Sequence, residues 1–152
     1  MSVLKKELVL VGMEESSAEE AMRALAGAMV AERLVRESFV EAVLAREKTY
    51  PTGIPAKVFD IALPHTMAEH VIEPCLAVGV LKKPVEFRQM GTPDIILHPR
   101  VIFMLAISDP KEQLGQLKKI MKLLQNDDLL MGVRDAVSAE QVVELLNPAL
   151  AD

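Results

Sequence analysis

The spacing of apolar positions changes several times along the chain, and each change predicts an element. Val3 to Val11 is a largely apolar stretch that reads as an opening strand. Ser16 stands three residues before Glu19, a capping-box pattern that predicts a helix start. Behind it Met22, Leu25 and Met29 recur at helical spacing, so one face is expected to be buried. Ser38 and Glu41 repeat the capping pattern before a second helix, with a stripe of Val40, Val43 and Leu44 and an end near Arg46-Glu47-Lys48. Tyr50 to Pro55 must be a loop, because two prolines within six residues remove donors and fix φ.

Phe59 to Leu63 predicts a short strand running into Pro64-His65-Thr66. Cys75 to Leu81 and Val85 to Phe87 read as further strands, separated by the polar Lys82-Lys83-Pro84. Arg100 to Ile107 is the strongest strand signal, an unbroken apolar run that has to be covered on both faces. After Asp109-Pro110 a helix of good formers extends to about Gln125, with Leu114, Leu117, Met121 and Leu124 on one face and lysines opposite. A short helix follows around Leu129 to Val133. The last starts at Ser138, where Gln141 completes a third capping box. This order predicts an α/β fold: a three-layer sandwich whose mixed central β-sheet is flanked by helices on both faces. No repeat or linker divides the chain, so one domain is expected over residues 1–152.

Composition narrows the class. Of 152 residues 51% are hydrophobic and 26% charged, as in a globular protein with a sizeable core. Aromatics are only 3%, so aliphatic side chains and nine methionines must fill that core. The net charge of −5 comes without a basic patch, which argues against nucleic acid as a partner. With Cys75 alone, no intrachain disulfide can form. The apolar run at the start is too short to span a bilayer and no cleavage site follows it. A cytoplasmic protein without membrane insertion is expected.

Chemistry has few places to sit. A single histidine is commonly structural, but of His65, His70 and His98 the first stands at a strand end, directly after a proline that cannot pair in the ladder. Strand ends are where α/β sheets bind ligands. His65, Glu69 and His70 can be drawn as metal ligands, yet their spacing matches no zinc signature, and no metal is expected. Cys75 opens an apolar strand and reads as an inert buried thiol. Arg46-Glu47 has two readings. One is a charged helix end in which Arg46 complements the dipole. In the other, Arg46 grips two phosphoryl oxygens and Glu47 fixes it, with Gly53 letting the loop backbone come close to the anion.

Taken together, Arg46-Glu47, Tyr50-Pro51-Thr52-Gly53-Ile54 and Ile61-Ala62-Leu63-Pro64-His65 resemble the paired signature of the mannitol/fructose-type IIA domains of the bacterial sugar phosphotransferase system. The resemblance implies a mixed sheet flanked by helices and a phosphotransferase activity without cofactor or nucleotide. It implies that His65 is phosphorylated on Nε2 by the phosphocarrier HPr. The group would pass to a IIB component and then to a sugar entering through a membrane IIC transporter. Arg46 matches the family's arginine near the phosphohistidine, and Glu47 its companion. Many members carry a second active-site histidine just after the long apolar strand. Here Lys111-Glu112-Gln113-Leu114 puts Gln113 at that position, which resembles the galactitol-type branch, as does Asp109-Pro110 ahead of it. Gln113 would offer a hydrogen bond without a second titrating group. His98 falls outside the site, and His70 lies in the loop beyond His65 with no role assigned. Met67 and Val71 either form an apolar docking rim or pack beneath that loop. A regulatory relay resembling the nitrogen-related IIA proteins is the alternative function, although such proteins usually keep the second histidine. A non-catalytic binding module sharing the fold is a further possibility.

Overall fold

A computed structural model describes residues 4–150 of the chain. In order these form β1 (Val9–Met13), α1 (Ala18–Ala31), α2 (Ser38–Thr49), β2 (Gly53–Ile54), β3 (Ile61–Ala62), β4 (Cys75–Leu81), β5 (Phe87–Gln89), β6 (Thr92–Leu97), β7 (Val101–Ala106), α3 (Pro110–Leu123), α4 (Asp127–Asp135) and α5 (Ala139–Leu150). The strands make one mixed sheet in the order β1-β4-β7-β3-β2-β5-β6. The two unbroken apolar runs, β4 and β7, pair antiparallel near its middle, with Cys75 opposite Ala106 and Val80 opposite Val101. All their residues are buried, so both faces of the sheet need a cover.

Strand alternation sorts these side chains into two cores. Ala77, Leu81, Ile102 and Met104 face Met22, Leu25 and Met29 of α1 and Phe39 and Val43 of α2. Leu76, Val78, Val80, Phe103 and Leu105 face Ile120 and Leu123 of α3, Leu130 of α4 and Val142 and Leu146 of α5. The expected three layers are therefore present. Gly79 makes the first interface possible. A Cβ there would lie 2.7 Å from Met13 Sδ and 3.0 Å from Leu25 Cδ1, so α1 sits against bare backbone.

Several boundaries differ from the sequence reading. The opening stretch is not one strand: Lys6–Leu8 form a 3-10 turn and β1 begins at Val9, while Val3 lies outside the described residues. Leu4 and Leu8, four apart, are both buried, and the exposed Lys5-Lys6-Glu7 between them turns outward. The first cap is Ser17 rather than Ser16, its Oγ accepting from Glu20 N at 3.1 Å. Ser38 does not cap α2; that position is Glu37, without a side-chain bond. The third box holds, with Ser138 Oγ accepting from Gln141 N at 3.2 Å. The loop after α2 contains a two-residue strand, β2, and β3 is shorter than expected. The strand expected at Val85 begins at Phe87, and β6 is additional. On α3, Leu114 and Met121 are exposed while Ile120, Leu123 and Leu124 are buried. The helix is rotated from the expected stripe, because it has apolar residues on more than one face.

Candidate functional site

Pairing of β2 with β3 lays the loop after α2 alongside the segment that leads into Pro64-His65. Gly53 pairs with Ala62 and Ile54 with Ile61. One residue further on, Leu63 N donates to Thr52 O at 3.1 Å. Gly53 serves this packing: a Cβ there would fall 2.6 Å from the Arg88 carbonyl oxygen, so β2 could not lie beside β5. Past β3 the chain continues along β7. The carbonyl of Pro64 accepts from Leu105 N at 2.9 Å, and His65 aligns in parallel with Leu105. Because β7 ends at Ala106 and α3 begins at Pro110, His65 lies at the strand end that feeds α3.

The His65 ring is half-buried, and its Nδ1 lies 2.8 Å from the carbonyl oxygen of Leu63. A carbonyl can only accept, so Nδ1 carries the ring proton and Nε2 keeps its lone pair. Burial pushes the pKa of His65 down, the bond to Leu63 opposes this, and the positive charge of Arg46 lowers it further. The ring is thus neutral at neutral pH, with Nε2 as a nucleophile.

Arg46 occupies the last turn of α2, with its Cζ 4.9 Å from the centroid of the Tyr50 ring. Stacking of this kind holds a guanidinium in place without using its donors. Its Nε is buried and has no hydrogen-bond partner among the described residues. Such an unmet charged donor is costly, and a phosphoryl oxygen has the chemistry to satisfy it.

Glu47 departs from its expected role. Its carboxyl does not hold Arg46: no ion pair joins the two among the described residues, and adjacent helix positions do not face one another. Instead Oε2 accepts from Thr52 N at 2.8 Å, and Oε1 lies 2.7 Å from Thr52 Oγ1. Burial raises the Glu47 pKa from 4.5 to about 7, against the two Thr52 bonds, which lower it. The sign for stability follows. Between those two values the folded protein holds a proton that the unfolded chain has released, so stability falls as pH rises through the window. Full ionisation costs on the order of 3 kcal/mol. Urea unfolding at about pH 5 and about pH 8 should show wild type losing stability relative to Glu47→Gln; parallel pH profiles would contradict this.

The remaining expected residues divide clearly. Gln113 lies in the first turns of α3, after the Asp109 cap, and its side chain is outside the described residues. His70 is turned toward the start of α2, with Ser38 Oγ 2.8 Å from its Nδ1 and its carbonyl accepting from Arg36 N at 2.8 Å. The residue read as a helix cap is thus a partner of His70. His98 belongs to the opposite end of β3, where its backbone N–H donates to Asp60 Oδ2 at 2.9 Å. Met67 is 58% exposed whereas Val71 is 7% exposed, so only Met67 is available to a docking rim. The Cys75 thiol is buried and its pKa is pushed up to about 12, which makes it inert at neutral pH. Thr52, Tyr50 and the Leu63 carbonyl are parts of the site to which the sequence assigned no function. They stood inside the motif, but which of them touches what depends on the pairing of β2 with β3.

Comparison with known proteins bears on the family and the fold. The family profile described as phosphoenolpyruvate-dependent sugar phosphotransferase system, EIIA 2, matches residues 2–149. The galactitol-specific EIIA component of Escherichia coli (strain K12) is 27% identical over 111 residues, 73% of this chain and 73% of that protein. The fructose-specific EIIABC component of Bacillus subtilis (strain 168) is 28% identical over 115 residues, 74% of this chain but 17% of that longer protein. The mannitol IIA of Escherichia coli has the same fold, with a TM-score of 0.79 at 23% identity over 95% of this chain and 99% of that one. Its complex with phosphorylated mannitol enzyme IIB gives 0.76 at 23% identity, over 94% and 96%. Among the described residues no helix is long and apolar enough to cross a membrane.

Proposed function

The chain belongs to the EIIA 2 family of the phosphoenolpyruvate-dependent sugar phosphotransferase system, and on that premise we propose that it is a phosphoryl carrier whose His65 takes and passes on the phosphoryl group. The observation that carries this reading is the His65 ring itself, with its proton committed to Leu63 O and Nε2 left nucleophilic. The donor is the phosphocarrier HPr, and the acceptor is a IIB component. As the bond from phosphorus to Nε2 forms, the bond from phosphorus to the donor breaks. The ring then gains positive character, which the Leu63 carbonyl stabilises through Nδ1–H. Transfer of this kind asks for alignment and for cationic partners to the equatorial oxygens. Arg46 supplies that charge, and Gln113 a hydrogen bond that does not titrate. Onward transfer reverses the step, and a membrane IIC partner finally uses the group on sugar. Such a carrier works at the cytoplasmic side and needs neither metal nor nucleotide.

The system served is of the galactitol type. Gln113 in place of a second histidine supports this, as does the likeness to the galactitol-specific EIIA component. The phosphorylated protein, offered galactitol-type and mannitol-type IIB in equal amounts, should transfer about tenfold or more faster to the former, a difference of about 1.4 kcal/mol. Equal rates, or a preference for the mannitol type, would contradict the assignment.

A further inference from the structure

We infer that Glu47 and Thr52 form a positioning relay that fixes which nitrogen of His65 carries the ring proton. The inference rests on His65 being the phosphoryl acceptor, and it gives Glu47 a role separate from Arg46. Four hydrogen bonds connect the carboxyl to the imidazole. Glu47 holds both donors of Thr52, at 2.8 and 2.7 Å. The Thr52 carbonyl holds Leu63 N–H at 3.1 Å, and the Leu63 carbonyl holds His65 Nδ1–H at 2.8 Å. Leu63 is therefore gripped at its N–H by the loop while its C=O grips the ring.

The arrangement explains why a half-buried carboxyl is kept here despite its desolvation cost. Pro51 has no N–H and Thr52 precedes β2, so the Thr52 N–H has no ladder partner. At 2% exposure Thr52 has no access to water either. Both donors would be orphaned without Glu47. A consequence for chemistry follows. In water a neutral imidazole favours its proton on Nε2, the nitrogen that must attack. If Leu63 drifts, the proton moves to Nε2 and the nucleophile is lost. The relay keeps it on Nδ1. A staple that merely stabilised the loop would leave the ring unaffected.

Nitrogen NMR of the His65 ring in the unphosphorylated protein separates these cases, because the two nitrogens report the tautomer directly. Wild type should show a protonated Nδ1 and an unprotonated Nε2. Glu47→Ala, which removes both acceptors, should move both shifts toward their average and slow phosphoryl uptake from phospho-HPr about tenfold or more. Glu47→Gln keeps both bonds, its amide oxygen accepting from Thr52 N–H and its amide N–H donating to Oγ1, so it should recover the tautomer and most of the rate. An unshifted ring in Glu47→Ala would overturn the relay. So would a Glu47→Gln ring that behaves as in Glu47→Ala. Should Glu47→Ala fail to fold, Thr52→Val removes only the hydroxyl link and should give a smaller drift in the same direction; no drift would equally overturn the proposal. The ring shifts need no phosphoryl donor. Failure of wild type to take up phosphate would therefore refute the carrier reading and leave the relay to be judged on the shifts.

Discussion

His65→Ala is expected to take up no phosphate from phospho-HPr under conditions in which wild type is fully converted. The loss should be complete because, among the described residues, no other nucleophilic side chain is placed to replace it. His70 is engaged with Ser38, and His98 belongs to the opposite end of β3. Cys75 is a buried thiol with its pKa near 12 and is not a nucleophile at neutral pH. The variant should nevertheless fold. His65 is half-buried and its side chain makes one hydrogen bond, to the Leu63 carbonyl, so truncation costs about 1 kcal/mol from that bond. Intact mass measurement after incubation checks the outcome, with His70→Ala and His98→Ala expected to gain phosphate normally. Phosphate on His65→Ala would place the acceptor elsewhere.

Arg46→Ala should retain phosphorylation but slow it by about two to three orders of magnitude, the usual cost of removing one charged donor from a developing anion. Arg46 has a buried Nε without a partner among the described residues and a guanidinium seated against Tyr50, so on this proposal it would enter the reaction already oriented. Arg46→Lys should fall between, since it keeps the charge and loses the planar fork and the stacking. The same variants report on His65 in a second way. The Arg46 charge lowers the His65 pKa, so its removal should let that pKa rise, and the low-pH limb of the rate profile should move to higher pH with it. Single-turnover rates across pH test both effects. A rate within about twofold of wild type would remove Arg46 from the mechanism.

The sequence disclosed the parts of this molecule that follow from burial on two faces. β4 and β7 are continuous apolar runs because helices cover the sheet on both sides. β6 was not visible: it is an edge strand with five exposed residues, it contains Pro93, and it shows no alternation to read. The first capping box slipped by one because Ser16 and Ser17 are adjacent and Glu19 and Glu20 offer each a partner. Ser38 has the composition of a cap, but the nearby His70 ring, 32 residues away in sequence, engages its hydroxyl. The stripe on α3 was misassigned because Leu114 and Met121 are apolar without being buried.

The site was legible as a motif and not as an arrangement. His65, Arg46 and Glu47 could be picked out from residue type, order and resemblance. The link from Glu47 to Thr52 could not, since it spans five residues across a helix end, where no period applies. Equally, nothing in the sequence says that Leu63 contributes its carbonyl rather than its side chain. Those contacts exist because β2 and β3 pair in one register.

The most direct test of the account is to locate the phosphate. The wild-type protein would be incubated with phospho-HPr and its ring nitrogens followed by phosphorus- and nitrogen-resolved NMR, before and after a IIB component is added. One phosphate bonded to Nε2 of His65, with Nδ1 still protonated and the signal lost to IIB, is the predicted result. No uptake, or phosphate on Nδ1 or on any other residue, would contradict it.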